Sequence, residues 1–194
     1  MGNLILIKHS KPTISSSIPS CEWTLSEEGI NKARLLATPL RNFLFNTVYS
    51  SIEPKAIETA EIIGKELNKQ VDIRQGIHEH ERHKHRKIYP EDQWKTIIRE
   101  FFDYPNDLVF GQETAASAQK RFDSSVGKLL KDRPANEDIV IVAHGTVISL
   151  FIDEYNQVDV MEIWNSLGLP AYAVLDAESF RLYDIVNMNG KGSR

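Results

Sequence analysis

Two short runs with no polar residue, Leu4-Ile5-Leu6-Ile7 and Ile139-Val140-Ile141-Val142-Ala143, each lead within two positions to a histidine, His9 and His144. A strand that is apolar at every position has both faces buried, as in the interior of a parallel sheet covered by helices on both sides. Open sheets of this kind bind ligands in the crevice beyond the carboxyl ends of their strands. Two histidines leaving such strands, from opposite ends of the chain, therefore point to one shared reaction centre. Their neighbours narrow the chemistry. His9 stands between Lys8 and Ser10, and His144 precedes Gly145 and a helix-like run over 146–152. Cations, hydroxyls and a helix N-terminus all suit a phosphate.

The remaining periodicity completes an α/β pattern. Short strands are expected at 48–49 and 71–73, and helices at 25–40, 54–67 and 113–130. Ala56, Ala60, Ile63 and Leu67 make one apolar stripe, and Ala118, Phe122, Val126 and Leu129 another, so helices should cover both faces of a central sheet. Thr24 and Glu27 have the spacing of a capping box at the start of the first helix, with Ser26 as the alternative cap. Residues 172–175 and 180–186 read as a closing antiparallel hairpin. With 194 residues, 41% of them hydrophobic, and neither repeat nor linker, the chain is expected to be a single domain over 1–194. Its least regular part, 78–105, reads as a lid or insertion over the site, and 188–194 as a disordered tail.

Bulk properties limit the partners. A formal net charge of -4 lacks the basic balance of a nonspecific nucleic-acid binder. No apolar run approaches the roughly 20 residues that span a bilayer, so no membrane partner is expected. The single cysteine, Cys21, has no internal disulfide partner, and no basic leader precedes the first strand, which together fit a reducing cytoplasm. The expected partner is a small phosphorylated molecule.

In several blocks taken in order, the sequence resembles the histidine phosphatase superfamily, which includes the cofactor-dependent phosphoglycerate mutases. The family's opening strand and Arg-His-Gly correspond to Leu4-Ile5-Leu6-Ile7-Lys8-His9-Ser10, and its Leu-Thr-x-x-Gly helix start to Leu25-Ser26-Glu27-Glu28-Gly29. Its Ser-x-x-x-Arg-Ala-x-x-Thr-Ala block corresponds to residues 51–60, from Ser51 through Lys55 and Ala56 to Thr59 and Ala60. Ile77-His78-Glu79, Gly111-Gln112-Glu113-Thr114 and Val140-Ile141-Val142-Ala143-His144-Gly145 follow in the family's order. The resemblance implies a three-layer α/β/α sandwich with a central, mostly parallel sheet and a metal-independent, cofactor-free phosphatase. In that reading His9 is the nucleophile that becomes a phosphohistidine, and His144 donates hydrogen bonds to the transferring oxygens. Glu79, or Glu81 two positions on, carries the proton, a role that calls for a raised pKa.

The departures from the pattern lie at the phosphate clamp. Lys8 and Lys55 stand where the family has arginines, and Ser10 where it has glycine. A lysine keeps the charge without the planar, two-pronged geometry of a guanidinium. Ser10 either crowds the phosphate or offers it a hydroxyl. Both lysines nevertheless suit an anion site: Lys8 adjoins an apolar strand where an unpaired ammonium is costly, and Lys55 lies early in a helix where positive charge opposes the dipole. Retained anion binding with slow or altered turnover is expected. The readings left open are a hydrolase of a small phosphorylated metabolite, a mutase-like phosphotransferase, and a phospho-ligand-binding pseudoenzyme. Four of the six histidines fall in 78–87, but the spacing fits no zinc motif and the interleaved Arg82, Lys84, Arg86 and Lys87 repel a cation. A solvated loop, or a basic lid contacting a second anionic group, is the better expectation there.

Overall fold

The computed structural model describes residues 2–84, 86–134 and 137–188. Among them six strands form one sheet in the order β3-β2-β4-β1-β5-β6. These are β1 (Asn3–Lys8), β2 (Thr47–Ser50), β3 (Gln70–Ile73), β4 (Ile139–Ala143), β5 (Ala171–Asp176) and β6 (Leu182–Asn187). The β3–β2, β2–β4 and β4–β1 pairs are parallel, whereas β5 and β6 close the far edge antiparallel. The expected α/β sandwich with a mostly parallel sheet is the fold observed. The helices are α1 (Glu27–Leu40), α2 (Pro54–Leu67), α3 (Glu91–Asp103), α4 (Ala115–Asp132), α5 (Gly145–Asn156) and α6 (Val160–Ser166).

Alternation of side chains along the central strands divides the core into two layers. Ile5, Ile7, Val140 and Val142 pack with Leu36, Leu40, Ala56, Ala60 and Ile63 of α1 and α2. Leu4, Leu6, Ile139 and Ile141 face the other way, onto Phe122 and Val126 of α4 and Ile148 and Phe151 of α5. Ser26, not Thr24, caps α1, its hydroxyl accepting the Gly29 amide, because the helix opens two residues later than a cap at Thr24 requires. Thr114 caps α4 in the same way.

Two helices were not anticipated. Within 78–105, α3 buries Ile98, Phe101 and Phe102, so residues 91–103 of this segment are a packed helix and not part of an irregular lid. The short α6 is capped by Asp159, which accepts the Met161 and Glu162 amides. At the other end of the chain, Met188 donates its amide to the Pro170 carbonyl at 3.1 Å and so belongs to the fold. The remainder of the tail expectation, 189–194, lies outside the described residues.

Because β1 and β4 are apolar on both faces, hydrophobic alternation alone discriminates poorly between their possible registers. Asp138 supplies the missing discrimination. Its carboxylate accepts the Asn3 amide at 2.6 Å and the Asn3 side chain at 2.9 Å, and its other oxygen accepts the Leu44 amide at 2.7 Å. One side chain thus aligns the starts of β1 and β4 and the approach to β2. We expect Asp138→Ala to lower the urea unfolding free energy by about 1.5–3 kcal/mol, as loss of hydrogen bonds to a charged group does. A change below about 0.5 kcal/mol, the range of ordinary surface substitutions, would contradict this role.

Candidate active site

The register of β1 on β4 pairs Lys8 with Ala143, so the next residues, His9 and His144, leave the sheet side by side. The His9 amide is held by the Ala143 carbonyl at 3.0 Å, and the two imidazole centroids are 5.1 Å apart with planes inclined by 60°. Both rings are buried, which pushes both pKa values well below the ordinary imidazole value and leaves the rings neutral near pH 7. Burial is the main cause, reinforced at each ring by the nearby Lys55. Nδ1 of His9 lies 2.7 Å from the Ser10 carbonyl. A carbonyl only accepts, so Nδ1 carries the proton and the Nε2 lone pair is free. His144 places Nε2 2.7 Å from the Ser51 hydroxyl and 3.6 Å from Glu53 Oε1, while its buried Nδ1 has no hydrogen-bond partner.

A cavity of about 320 Å³ opens onto His9, with His144 fully buried behind its lining. Lys8, His9, Lys55, Glu79, Arg82 and Gly145 line its floor, and aromatic groups including Trp23, Tyr89, Trp94 and Trp164 form its walls. Lys8 Nζ donates to the Leu167 carbonyl at the end of α6 at 2.7 Å and lies 5.8 Å from the Trp164 ring. Burial, partly opposed by the Glu79 charge, lowers its pKa to about 8. Gly145 packs closely on this side chain, since a Cβ there would sit 3.1 Å from Lys8 Cε and 3.2 Å from Nζ. Lys55 is buried at the start of α2, donating to the Ser20 carbonyl at 2.6 Å and paired with the Glu53 carboxylate.

Glu79 is the carboxylate beside this floor. Its oxygens accept the His80 amide at 3.0 Å and the Thr146 amide, in the first turn of α5, at 3.3 Å. Glu81 instead faces His78 at 3.6 Å, is more exposed, and does not line this cavity. The raised pKa expected for the proton carrier is not found. Burial pushes Glu79 upward, but the Arg82 guanidinium and the hydrogen bond from the His80 amide bring it below the ordinary carboxylate value.

The chain matches the family model for the histidine phosphatase superfamily (branch 1) over residues 4–179. It belongs to that superfamily. No significant match was found among curated proteins. Among solved structures, it resembles a mycobacterial glucosyl-3-phosphoglycerate phosphatase complexed with VO3, with a TM-score of 0.72 and 19% identity over 96% of this chain and 99% of that one. A mutant phosphoserine phosphatase from Entamoeba histolytica in complex with phosphoserine aligns with a TM-score of 0.71 and 21% identity, covering 97% and 98% of the two chains. For a putative alpha-ribazole-5'-P phosphatase from Escherichia coli the TM-score is 0.67, at 20% identity over 100% and 99%. At these identities the likeness establishes the shared fold.

In this member of the superfamily the Ser10 hydroxyl neither crowds the cavity nor lines it. It donates to the Gly29 carbonyl at 2.7 Å, while the Ser10 amide donates to Thr59 Oγ1 at 3.0 Å, so residue 10 ties the first loop to α1 and α2. Several residues given no role from sequence support the site. Glu53 accepts the Glu79 amide at 2.9 Å as well as pairing with Lys55. Arg121, on α4, donates to the carbonyls of Gly76, His78 and Glu79 at 2.9, 2.9 and 3.1 Å and is clamped by both oxygens of Glu113. Gly111, at φ +83°, brings the following loop against His80, where a Cβ would lie 2.6 Å from Nε2. His80 itself is a core residue, its Nε2 donating to the Phe110 carbonyl at 2.7 Å and its ring 4.4 Å from that of Phe101. Of the histidine-rich run, His85 lies outside the described residues. Among the described residues no group of three or more His, Cys, Asp or Glu is placed to hold a metal ion, and no helix is long and apolar enough to cross a membrane.

Two buried neutral histidines make stability depend on pH. Their folded pKa values lie below the unfolded value of about 6.5, so their contribution is present above that pH and is lost as pH falls through it toward the folded values. Each ring contributes a slope of at most about 1.4 kcal/mol per pH unit. The unfolding free energy should therefore fall between pH 7.5 and 5, and His9→Gln combined with His144→Gln should flatten that fall. An identical slope in both proteins would contradict the burial of neutral rings.

Proposed function

We propose that this chain is a metal-independent phosphomonoester hydrolase acting on a small phosphorylated metabolite through His9. The observation that carries the reading is the fixed tautomer of His9: its Nδ1 proton is committed to the Ser10 carbonyl and its lone pair stands on Nε2, beside a second neutral histidine and two lysines. In the first half-reaction Nε2 attacks phosphorus, the N–P bond forms as the ester P–O bond breaks, and Glu79 gives its proton to the departing alcohol oxygen. In the second, Glu79 takes a proton from water, the water oxygen attacks phosphorus, and cleavage of the N–P bond restores neutral His9 and releases inorganic phosphate.

The groups around His9 suit these steps. Ser51 Oγ already accepts the Glu53 amide at 3.2 Å, so its own proton can go to His144 Nε2. That leaves the hydrogen of the neutral ring on Nδ1, the atom without a partner, as a donor to a phosphoryl oxygen. A phosphate dianion near Glu79 raises the carboxyl pKa by like-charge repulsion, which is how a group held low in the free site becomes an acid in the complex. Lys11, Arg86 and Lys87 beside the aromatic walls suit a substrate with a ring or apolar portion and further negative charge.

A phospho-ligand-binding protein is the rival reading, and the Lys55–Glu53 pair favours it by neutralising one of the two lysines on the cavity floor. Incubation with p-nitrophenyl phosphate carrying a labelled phosphoryl group separates the two. Acid-labile, base-stable label on the wild-type protein and none on His9→Ala is the expected result. Orthovanadate binding without any transfer of label would support the binding protein and contradict the hydrolase.

A further inference from the structure

Both positions at which the family carries a guanidinium hold lysines here, and both ammonium groups are already engaged, on the Leu167 carbonyl and on Glu53 with the Ser20 carbonyl. Neither offers a planar pair of parallel donors to two oxygens. A guanidinium does reach the same cavity, from the loop that follows Glu79. Arg82 lies 4.9 Å from the centroid of the Trp94 ring, its Nε donates to Ser20 Oγ at 3.3 Å, and its Nη2 stands 4.0 Å from Glu79 Oε2. Its Nη1 is buried and has no hydrogen-bond partner. Buried N–H donors are almost always satisfied, so an orphan in the wall of a ligand cavity marks a place where a ligand acceptor belongs.

We propose that Arg82 is the phosphate clamp of this site, its Nη1 and Nη2 taking two oxygens of the phosphoryl group that is transferred to His9. The proposal rests on the hydrolase reading and adds the residue that supplies the two-pronged recognition missing at Lys8 and Lys55. The indole of Trp94 and the hydroxyl of Ser20 restrain the guanidinium plane, which reduces the ordering left to be done when an anion arrives. Arg86, the other arginine lining the cavity, is exposed and suits a more distant part of the substrate.

The position of Arg82 also couples binding to proton transfer. In the free site the guanidinium faces Glu79 and favours its ionised form. Once a phosphate dianion takes Nη1 and Nη2, the carboxylate gains an anionic neighbour and shares its cation, and both changes favour the protonated acid that the leaving oxygen needs.

The test compares wild type, Arg82→Lys and Arg82→Ala in p-nitrophenyl phosphate hydrolysis and in orthovanadate affinity by calorimetry, with circular dichroism to confirm folding and Arg99→Ala as a surface control. For Arg82→Ala we expect kcat/KM to fall by about 100-fold or more, the scale of losing one preorganised donor to a developing anion. Vanadate should bind more weakly in both variants. Arg82→Lys should lose about tenfold in kcat/KM because charge survives without the fork. Added guanidinium ion should restore part of the activity of Arg82→Ala and none of that of His9→Ala. Unchanged vanadate affinity in the folded Arg82→Lys protein, or in Arg82→Ala, would overturn the proposal and leave Arg82 a structural partner of Glu79. If wild type proves unable to hydrolyse the ester, the hydrolase reading fails, and the vanadate comparison still decides whether Arg82 clamps the anion.

Discussion

The in-register parallel pairing of β1 with β4 is the constraint on which the site depends. Leu4 to Ile7 and Val140 to Val142 are fully buried, and the pairing that buries them also brings two histidines from opposite ends of the chain to within 5.1 Å. A slip of one residue would displace His9 by about 3.3 Å along the sheet, enough to destroy a near-attack geometry. Since these strands are apolar on both faces, the register needs a polar determinant, and the Asp138 to Asn3 contacts provide one at the opposite end from the chemistry. Stability and the geometry of the candidate site are thus joined through a single strand pair.

Electrostatics in the cavity favour neutral imidazoles beside several cationic side chains. The imidazoles are neutral because they are buried beside cations, Lys8 is held at about 8 by desolvation, and Arg82 has an unsatisfied donor. In the proposed function, a phosphate dianion pairs with the lysine and satisfies the guanidinium. Lowered pKa values at the imidazoles also serve the chemistry directly, because an attacking nitrogen must be unprotonated.

Much of this was legible in the chain. Unbroken apolar runs identified β1 and β4, and the stripes on α2 and α4 identified the two covering layers, because burial on a sheet imposes those periods. The helix α3 is legible too, since Trp94, Ile97, Ile98, Phe101 and Phe102 recur at helical spacing, but the polar run before them masks that period when 78–105 is read as one segment. The seven-residue α6 is too short for its periodicity to show. The pKa of Glu79 was beyond sequence, since it depends on where Arg82 and the His80 amide point. Ser10 looked available to a phosphate only because its acceptor, the Gly29 carbonyl, is 19 positions away. For Glu53 and Arg121 the signal was weak, a carboxylate before Pro54 and an arginine on a helix, and their roles emerge only when α2, α4 and the Glu79 loop converge.

In the proposed reaction, Nε2 of His9, released by the bond from Nδ1 to the Ser10 carbonyl, is the atom that meets phosphorus. A crystal structure of the orthovanadate complex tests it most directly. Vanadium should be bound to His9 Nε2, with its equatorial oxygens within hydrogen-bond distance of His144 Nδ1 and of Arg82, and Nδ1 of His9 still on the Ser10 carbonyl. Vanadate bound elsewhere in the cavity, or attached through Nδ1 with the Ser10 contact broken, would contradict it.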